Sequence, residues 1–285
     1  MKQLLILILL SISSTLYAQV PIHINLRDSR QKLVIDTSRY SMTYKFTYYL
    51  DTLKKTPFYD KCALEIGNSS SKYYSLIADQ MDSTALSDRN SRAVGGGIDP
   101  RRGFQKDQIA ICDDYHKNYP QKGKLTVSSS IYMQEFVYTE DIPQMSWNII
   151  PDKDTVILGY PCLKAHTKFR GREYYVWFTP DIPLNDGPWK FQGLPGLILN
   201  VKESRGFFEW EIVEIKNSSA PIYTYAHDGV KSRKCTREEH LKMLRLTWSD
   251  PVALAMSLGR KSHIGGREAK SGDIQYPPVP ALELE

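Results

Sequence analysis

The 285-residue chain lacks most of the short signatures that name an activity. It has no Gly-x-Ser-x-Gly elbow and no His-Glu-x-x-His, so two familiar hydrolase signatures are missing. Gly193 and Gly196 are not followed by Lys-Ser/Thr, and a strand-like run comes next, which excludes a phosphate loop. Past residue 10 no apolar run approaches the ~20 residues of a membrane-spanning helix. Internal repeats and heptads are absent too. Charge is nearly balanced, 37 Lys+Arg against 32 Asp+Glu. The chain therefore lacks the dense basic stripe of a nucleic-acid binder, and "SRAVGGGIDPRRGFQK" and "KSRK" read as solvated loops. No cofactor is indicated.

What is present begins with the leader "MKQLLILILLSISSTLYAQV". Lys2, the apolar run Leu4–Leu10 and the small-residue end at Ala18 form the three regions of a secretory signal peptide. Residues 1–18 are expected to be removed, leaving 19–285 as one β-rich domain. Gln19 rather than Cys would then come first, so a lipid anchor is not indicated. The mature chain is expected to have no transmembrane segment, and to work in the periplasm or at the cell surface.

The four cysteines, Cys62, Cys112, Cys162 and Cys235, all lie in the mature part. In an oxidising compartment they are disulfide candidates, with three pairings open, or else single buried thiols. The rival reading is a metal site built on Cys112, His116, Cys162 and His166. Geometry weighs against Cys162 and His166 sharing an ion, because residues four apart on a strand sit ~13 Å apart.

Periodicity predicts a sheet. "YSMTYKFTYYL" from Tyr40 reads as a long aromatic strand, and "KCALEIGNSSSKYYSLI" as a hairpin turning at Gly67-Asn68-Ser69. A short helix is expected from Ala78, then a long polar loop over about 86–122. "MSWNIIPDKDTVILGYPCLKAHTKF" predicts three strands broken at Pro151–Lys153 and Gly159–Pro161. Further turns fall at Arg170-Gly171-Arg172 and Glu203–Gly206. Such short spacing requires antiparallel pairing. Thr236 and Glu239 stand at capping-box spacing, with Leu241, Leu244 and Trp248 on one helical face. A second helix is expected after Asp250-Pro251, ending at Gly259. The expected class is α+β, a curved antiparallel sheet or half-barrel with two C-terminal helices packed on it.

The most distinctive stretch is "GPWKFQGLPGLILNV", Gly187–Val201. Pro195-Gly196 predicts a type II turn leading into the buried run Leu197-Ile198-Leu199. The hexapeptide Gly193-Leu194-Pro195-Gly196-Leu197-Ile198, the "ILGYPCLKAHTKFRGREYYVWFTPDIPLNDGPWKF" before it and "LEIGNSSSKYYS" further upstream resemble the GLPGLI family of exported proteins, found largely in Bacteroidota. That resemblance implies a cell-envelope protein and brings no established activity.

The reading that best fits these features is a non-catalytic binding or carrier protein for an apolar small molecule or an outer-membrane protein partner. Trp189, Phe191, Gly193, Leu194, Pro195, Gly196, Leu197, Ile198, Trp177 and Tyr175 are its candidate binding residues. A concave aromatic surface on strands Tyr40–Tyr49 and Tyr174–Phe178 would hold the ligand. The alternative is a Cys/His metal-binding protein of the periplasm. A hydrolase built on His227-Asp228 has no supporting motif.

Overall fold

A computed structural model describes residues 32–53, 56–91, 107–108, 110–111, 113–131, 134–225, 232–274 and 279–284, with backbone alone at 84–91 and 152–154. The leader, Cys112, His227-Asp228 and residues 92–106 of the expected loop lie outside the described residues.

Twelve strands form one open sheet. Its spatial order runs from β14 (Ser232–Lys234) through β7 (Gln134–Asp141), β6 (Lys124–Ile131), β5 (Asp113–Lys117), β4 (Ser71–Ser75), β3 (Pro57–Ile66) and β2 (Tyr40–Tyr49). It continues with β12 (Phe208–Asn217), β11 (Leu197–Glu203), β10 (Arg172–Thr179), β9 (Tyr160–Phe169) and β8 (Asn148–Ile157). All neighbours pair antiparallel except β14 with β7. The α+β class is as expected.

The pleat sorts the side chains. On β2, Met42, Tyr44, Phe46 and Tyr48 point into the core while Lys45 faces out. On β12, Phe208, Trp210 and Ile212 point in, and Glu209 and Glu211 do not. This period of two is what places one aromatic layer on a single side of the sheet.

The sheet must curl. Strands β7 and β9 stand nine places apart, roughly 43 Å along a flat sheet at the usual strand spacing. Yet Arg170, at the turn after β9, donates to Glu140 on β7 at 2.7 Å. Only a half-barrel brings these two ends within reach of one ion pair.

Three expectations are corrected. The stretch 86–122 is not one loop: β5 lies inside it, in mid-sheet, because Tyr115 and Lys117 pack inward against the core. Strand β8 runs through Pro151–Lys153 as one element, absorbing the interruption as a register shift between Ile150 and Thr155. The helix expected from Ala78 begins at Leu76 and extends to Ser91 as α1.

Helix α2 (Arg237–Ser249) starts at the expected capping box, with Glu239 N–H donating to Thr236 at 3.2 Å and Thr236 N–H to Glu239 at 2.8 Å. It lies on β6 and β7, and α3 (Pro251–Ser257), capped by Asp250, packs on α2. A ribbon of β1 (Lys32–Thr37) and β13 (Pro221–Tyr225) contacts the outer side of β4 and β5. There His116 meets the Tyr223 carbonyl, and the Lys72 ammonium lies over the rings of Tyr74 and Tyr223.

Candidate functional site

The inside of the half-barrel is occupied by the chain itself. Residues 186–191 leave the β10 side of the sheet, cross the hollow and return into β11. Trp189 stacks on Trp210 with ring centroids 6.0 Å apart, and Phe191 meets Trp210 edge-on at 5.6 Å. Tyr174 and Phe169 close the other side. Aromatic pairs in these offset and edge-on arrangements contribute about 0.5–1.5 kcal/mol beyond area burial.

Polar contacts fix this inner segment and the start of the strand that follows it. The buried Lys117 ammonium donates to Asp186 at 2.5 Å, to the Gly187 carbonyl at 2.8 Å and to the Phe191 carbonyl at 2.9 Å. Ser71 donates to the second Asp186 oxygen at 2.6 Å. From the floor, the Tyr44 hydroxyl donates to the Ile198 carbonyl at 2.7 Å. Burial raises the Tyr44 pKa, helped by the Asp186 charge, so it stays a neutral donor.

Gly196 serves a purpose different from the expected type II turn. Its N–H donates to the Leu194 carbonyl at 2.8 Å, closing a tight three-residue turn on Pro195. A Cβ there would stand 2.1 Å from the Thr179 carbonyl oxygen. The position needs glycine because two backbones touch.

At the far end of the inner segment is a buried charge cluster that sequence reasoning missed. The fully buried Lys190 ammonium donates to Glu140 at 2.7 Å and pairs with Glu283 at 2.6 Å. Arg237 on α2 donates to Glu283 from Nε at 2.8 Å and pairs from Nη2 at 2.5 Å. Burial pushes the Glu283 carboxyl up, but Lys190 and Arg237 outweigh it and hold it below the usual range. The missed signals were local: Lys190 stands between Trp189 and Phe191, and Glu283 between Leu282 and Leu284.

A second polar group lies on β3. Asp60 is fully buried and accepts from Ser75 and from the Ile111 N–H, both at 2.7 Å. Burial raises its pKa to about 7 against these stabilising bonds. Beside it a cavity of about 10 Å³ is lined by Cys62, Tyr73, Ser75, Asp113, Trp189 and Trp210, among others. That is room for about one water molecule.

The predicted binding residues divide between two places. Trp189, Phe191, Leu194, Leu197 and Ile198 are core, Gly196 is buried, and Gly193 and Pro195 are exposed. Tyr175 and Trp177 are on the outer face of β10, with the Lys164 ammonium 4.7 and 5.0 Å from their ring centres and His166 against Tyr175. The structure therefore does not gather them into one pocket.

Cys62, Cys162 and Cys235 are free thiols. This corrects the disulfide expectation: any two-bridge pattern would pair two of these three, and none is paired. Burial raises the pKa of all three, that of Cys235 to about 11. Of the metal candidates, His116 is on β5, and Cys162 donates to the Tyr160 carbonyl on β9 while His166 faces Tyr175. Among the described residues no three His, Cys, Asp or Glu side chains gather as a metal site. No described helix is long and apolar enough to cross a membrane.

Comparison with known proteins adds little chemistry. Two solved structures of PNGF-II, in space groups P21 and C2, are similar over 74% of this chain, with 13% identity and a TM-score of 0.46. The chain spans about a third of their length, 34% and 33%. No curated protein matches. A family model described as a protein of unknown function (Porph_ging) matches residues 167–200, a stretch that holds the inner segment and the start of β11.

Proposed function

We propose that this chain is an exported, non-catalytic binding protein of the GLPGLI type, acting in the periplasm or at the cell surface on a protein partner in the envelope. The family match over 167–200 covers the hexapeptide and supports the GLPGLI reading. One observation carries the choice of a protein partner over a carried small molecule. The hollow where an apolar molecule would sit is filled by Trp189 and Phe191, while apolar side chains stand out at the β8–β9 hairpin. Val156 there is 68% exposed, Leu158 50% and Leu163 36%.

This hairpin forms one edge of the sheet, and Lys164, His166, Tyr175 and Trp177 are grouped on the outer face of β9 and β10. Pairing of a partner strand along β8 is opposed at its centre by Pro151 and the charged run Asp152-Lys153-Asp154. Recognition is therefore assigned to side chains: apolar contact at Val156, Leu158 and Leu163. Such side chains suit an apolar partner surface.

The test is site-specific photocrosslinking in the native envelope, with the reactive residue at position 156 and a control at the exposed Lys261. Crosslinks to one membrane protein at 156, absent at 261 and lost with Leu158→Asn, are expected. Equal labelling at both positions, together with a lipid retained by the purified protein, would overturn the reading in favour of a small-molecule carrier.

A further inference from the structure

Residues 281–284 lie on the end of the half-barrel as a bound peptide would. The Ala281 carbonyl accepts from Arg172 Nε at 2.7 Å, and the Leu284 N–H donates to the Arg170 carbonyl at 3.1 Å. Leu282 packs into the main core and borders the small cavity beside Trp189. The Glu283 carboxylate enters between Lys190 and Arg237, with Arg170 Nε at 3.6 Å. One backbone hydrogen bond at Leu284, one guanidinium bond to the Ala281 carbonyl, an apolar anchor and a carboxylate clamp are elements by which proteins read extended peptides.

The receptor side is built without that segment. Arg170 and Arg172 are in the β9–β10 hairpin, Lys190 in the inner segment and Arg237 in α2. Arg170 and Lys190 are also held by Glu140, and Arg172 by Glu203 at 2.9 Å. Glu140 answers only part of the charge of Lys190, Arg170 and Arg237, which leaves an anion-seeking site for Glu283. The resident also leaves capacity unused. Arg170 Nε reaches Glu283 only at ion-pair distance, and neither ring nitrogen of the buried His240 makes a hydrogen bond; that ring packs against Tyr138 in the field of Asp113, Lys190, Glu283 and Arg237.

We propose that Arg170, Arg172, Lys190 and Arg237 form a peptide-binding site for an extended segment carrying Leu-Glu, and that residues 281–284 are its exchangeable resident. Held on the same chain, the resident competes at an effective concentration of about millimolar, so a free peptide is excluded unless the resident is weakened. The site is at the opposite end of β9 from the β8–β9 turn, so it stands or falls independently of the outer-face reading.

The test uses a fluorescent peptide, Val-Pro-Ala-Leu-Glu-Leu-Glu, against three proteins: the full chain, the chain shortened after Pro280, and full-length Leu282→Ala/Glu283→Gln. The full chain is expected to bind at least about tenfold more weakly than either altered protein. A peptide with Gln in place of its first Glu is expected to bind at least tenfold more weakly than the parent. If either altered protein is unfolded, the peptide is expected to restore its melting transition. The proposal is overturned if folded altered proteins ignore the peptide, if the Gln peptide binds equally well, or if an unfolded one is not restored.

Discussion

Lys117 on β5 and Asp186 at the head of the inner segment meet at 2.5 Å, and the same ammonium also holds the Gly187 and Phe191 carbonyls. One cation from the middle of the sheet thus fixes both ends of a chain crossing that carries two large aromatic rings. Removing it leaves Asp186 and two carbonyls short of a donor. Lys117→Met is expected to destabilise the fold by about 3–5 kcal/mol, as breaking a buried ion pair does. Denaturant unfolding followed by tryptophan emission checks this; a loss under about 1 kcal/mol would show that the aromatic contacts alone hold the segment.

Gly196 and Gly159 separate two reasons for glycine. Both have positive φ, 155° and 85°. A Cβ at 159 meets nothing within 4 Å, whereas at 196 it strikes the Thr179 carbonyl. Gly159→Ala is expected to cost about 1–2 kcal/mol of backbone strain. Gly196→Ala is expected to cost about 3 kcal/mol or more, since neither backbone yields easily. Equal melting temperatures for the two variants would refute the close-approach argument.

Asp60 gives stability a pH dependence of known sign. Its folded pKa of about 7 lies above the ordinary 3.8, so between these values the folded state holds the extra proton. Stability from this group is greatest below about pH 4 and falls as pH rises through 7, at up to about 1.4 kcal/mol per unit. Asp60→Asn is expected to flatten that decline. The check is the difference in melting temperature between the two proteins from pH 4 to 8; a constant difference means Asp60 ionises normally.

The three thiols offer a chemical readout. Cys62, Cys162 and Cys235 are each expected to take up iodoacetamide in guanidinium without prior reduction. In the native protein Cys62 is expected to stay unlabelled, because it is buried and its thiol is held protonated by burial and the neighbouring Asp60. Peptide mapping reads both results. Failure of any of the three to label when unfolded would mean that it is bridged.

Much of this architecture was legible because it is written locally. The turns at Arg170-Gly171 and Glu203–Gly206, the capping box at Thr236 and the alternation Phe208, Trp210, Ile212 each depend on residues within a few positions. What was missed depends on distant partners. Lys117 in a polar stretch reads as solvated until Asp186, 69 residues on, is brought to it. Tyr115 and Lys117 belong to a strand whose neighbours hide it, since Asp113, Asp114 and His116 outweigh its apolar content. Trp189 and Phe191 were recognised as apolar and placed beside a ligand, although the vacancy they were to border is the one they fill.

The order of the strands also sets an order in time. Strand β2 pairs with β3, the next strand along the chain, but its other neighbour is β12, where Tyr48 faces Phe208. Every residue from 50 to 207 must be made and delivered before that seam can close. Until then the first half of the sheet, β2 to β7, presents an open aromatic flank, with Phe46 and Tyr48 waiting for Trp210 and Phe208. Closing so distant a seam is slow by nature. The contacts across the β2–β12 seam therefore reward the chain late, once residues on both sides of that long loop have been brought together.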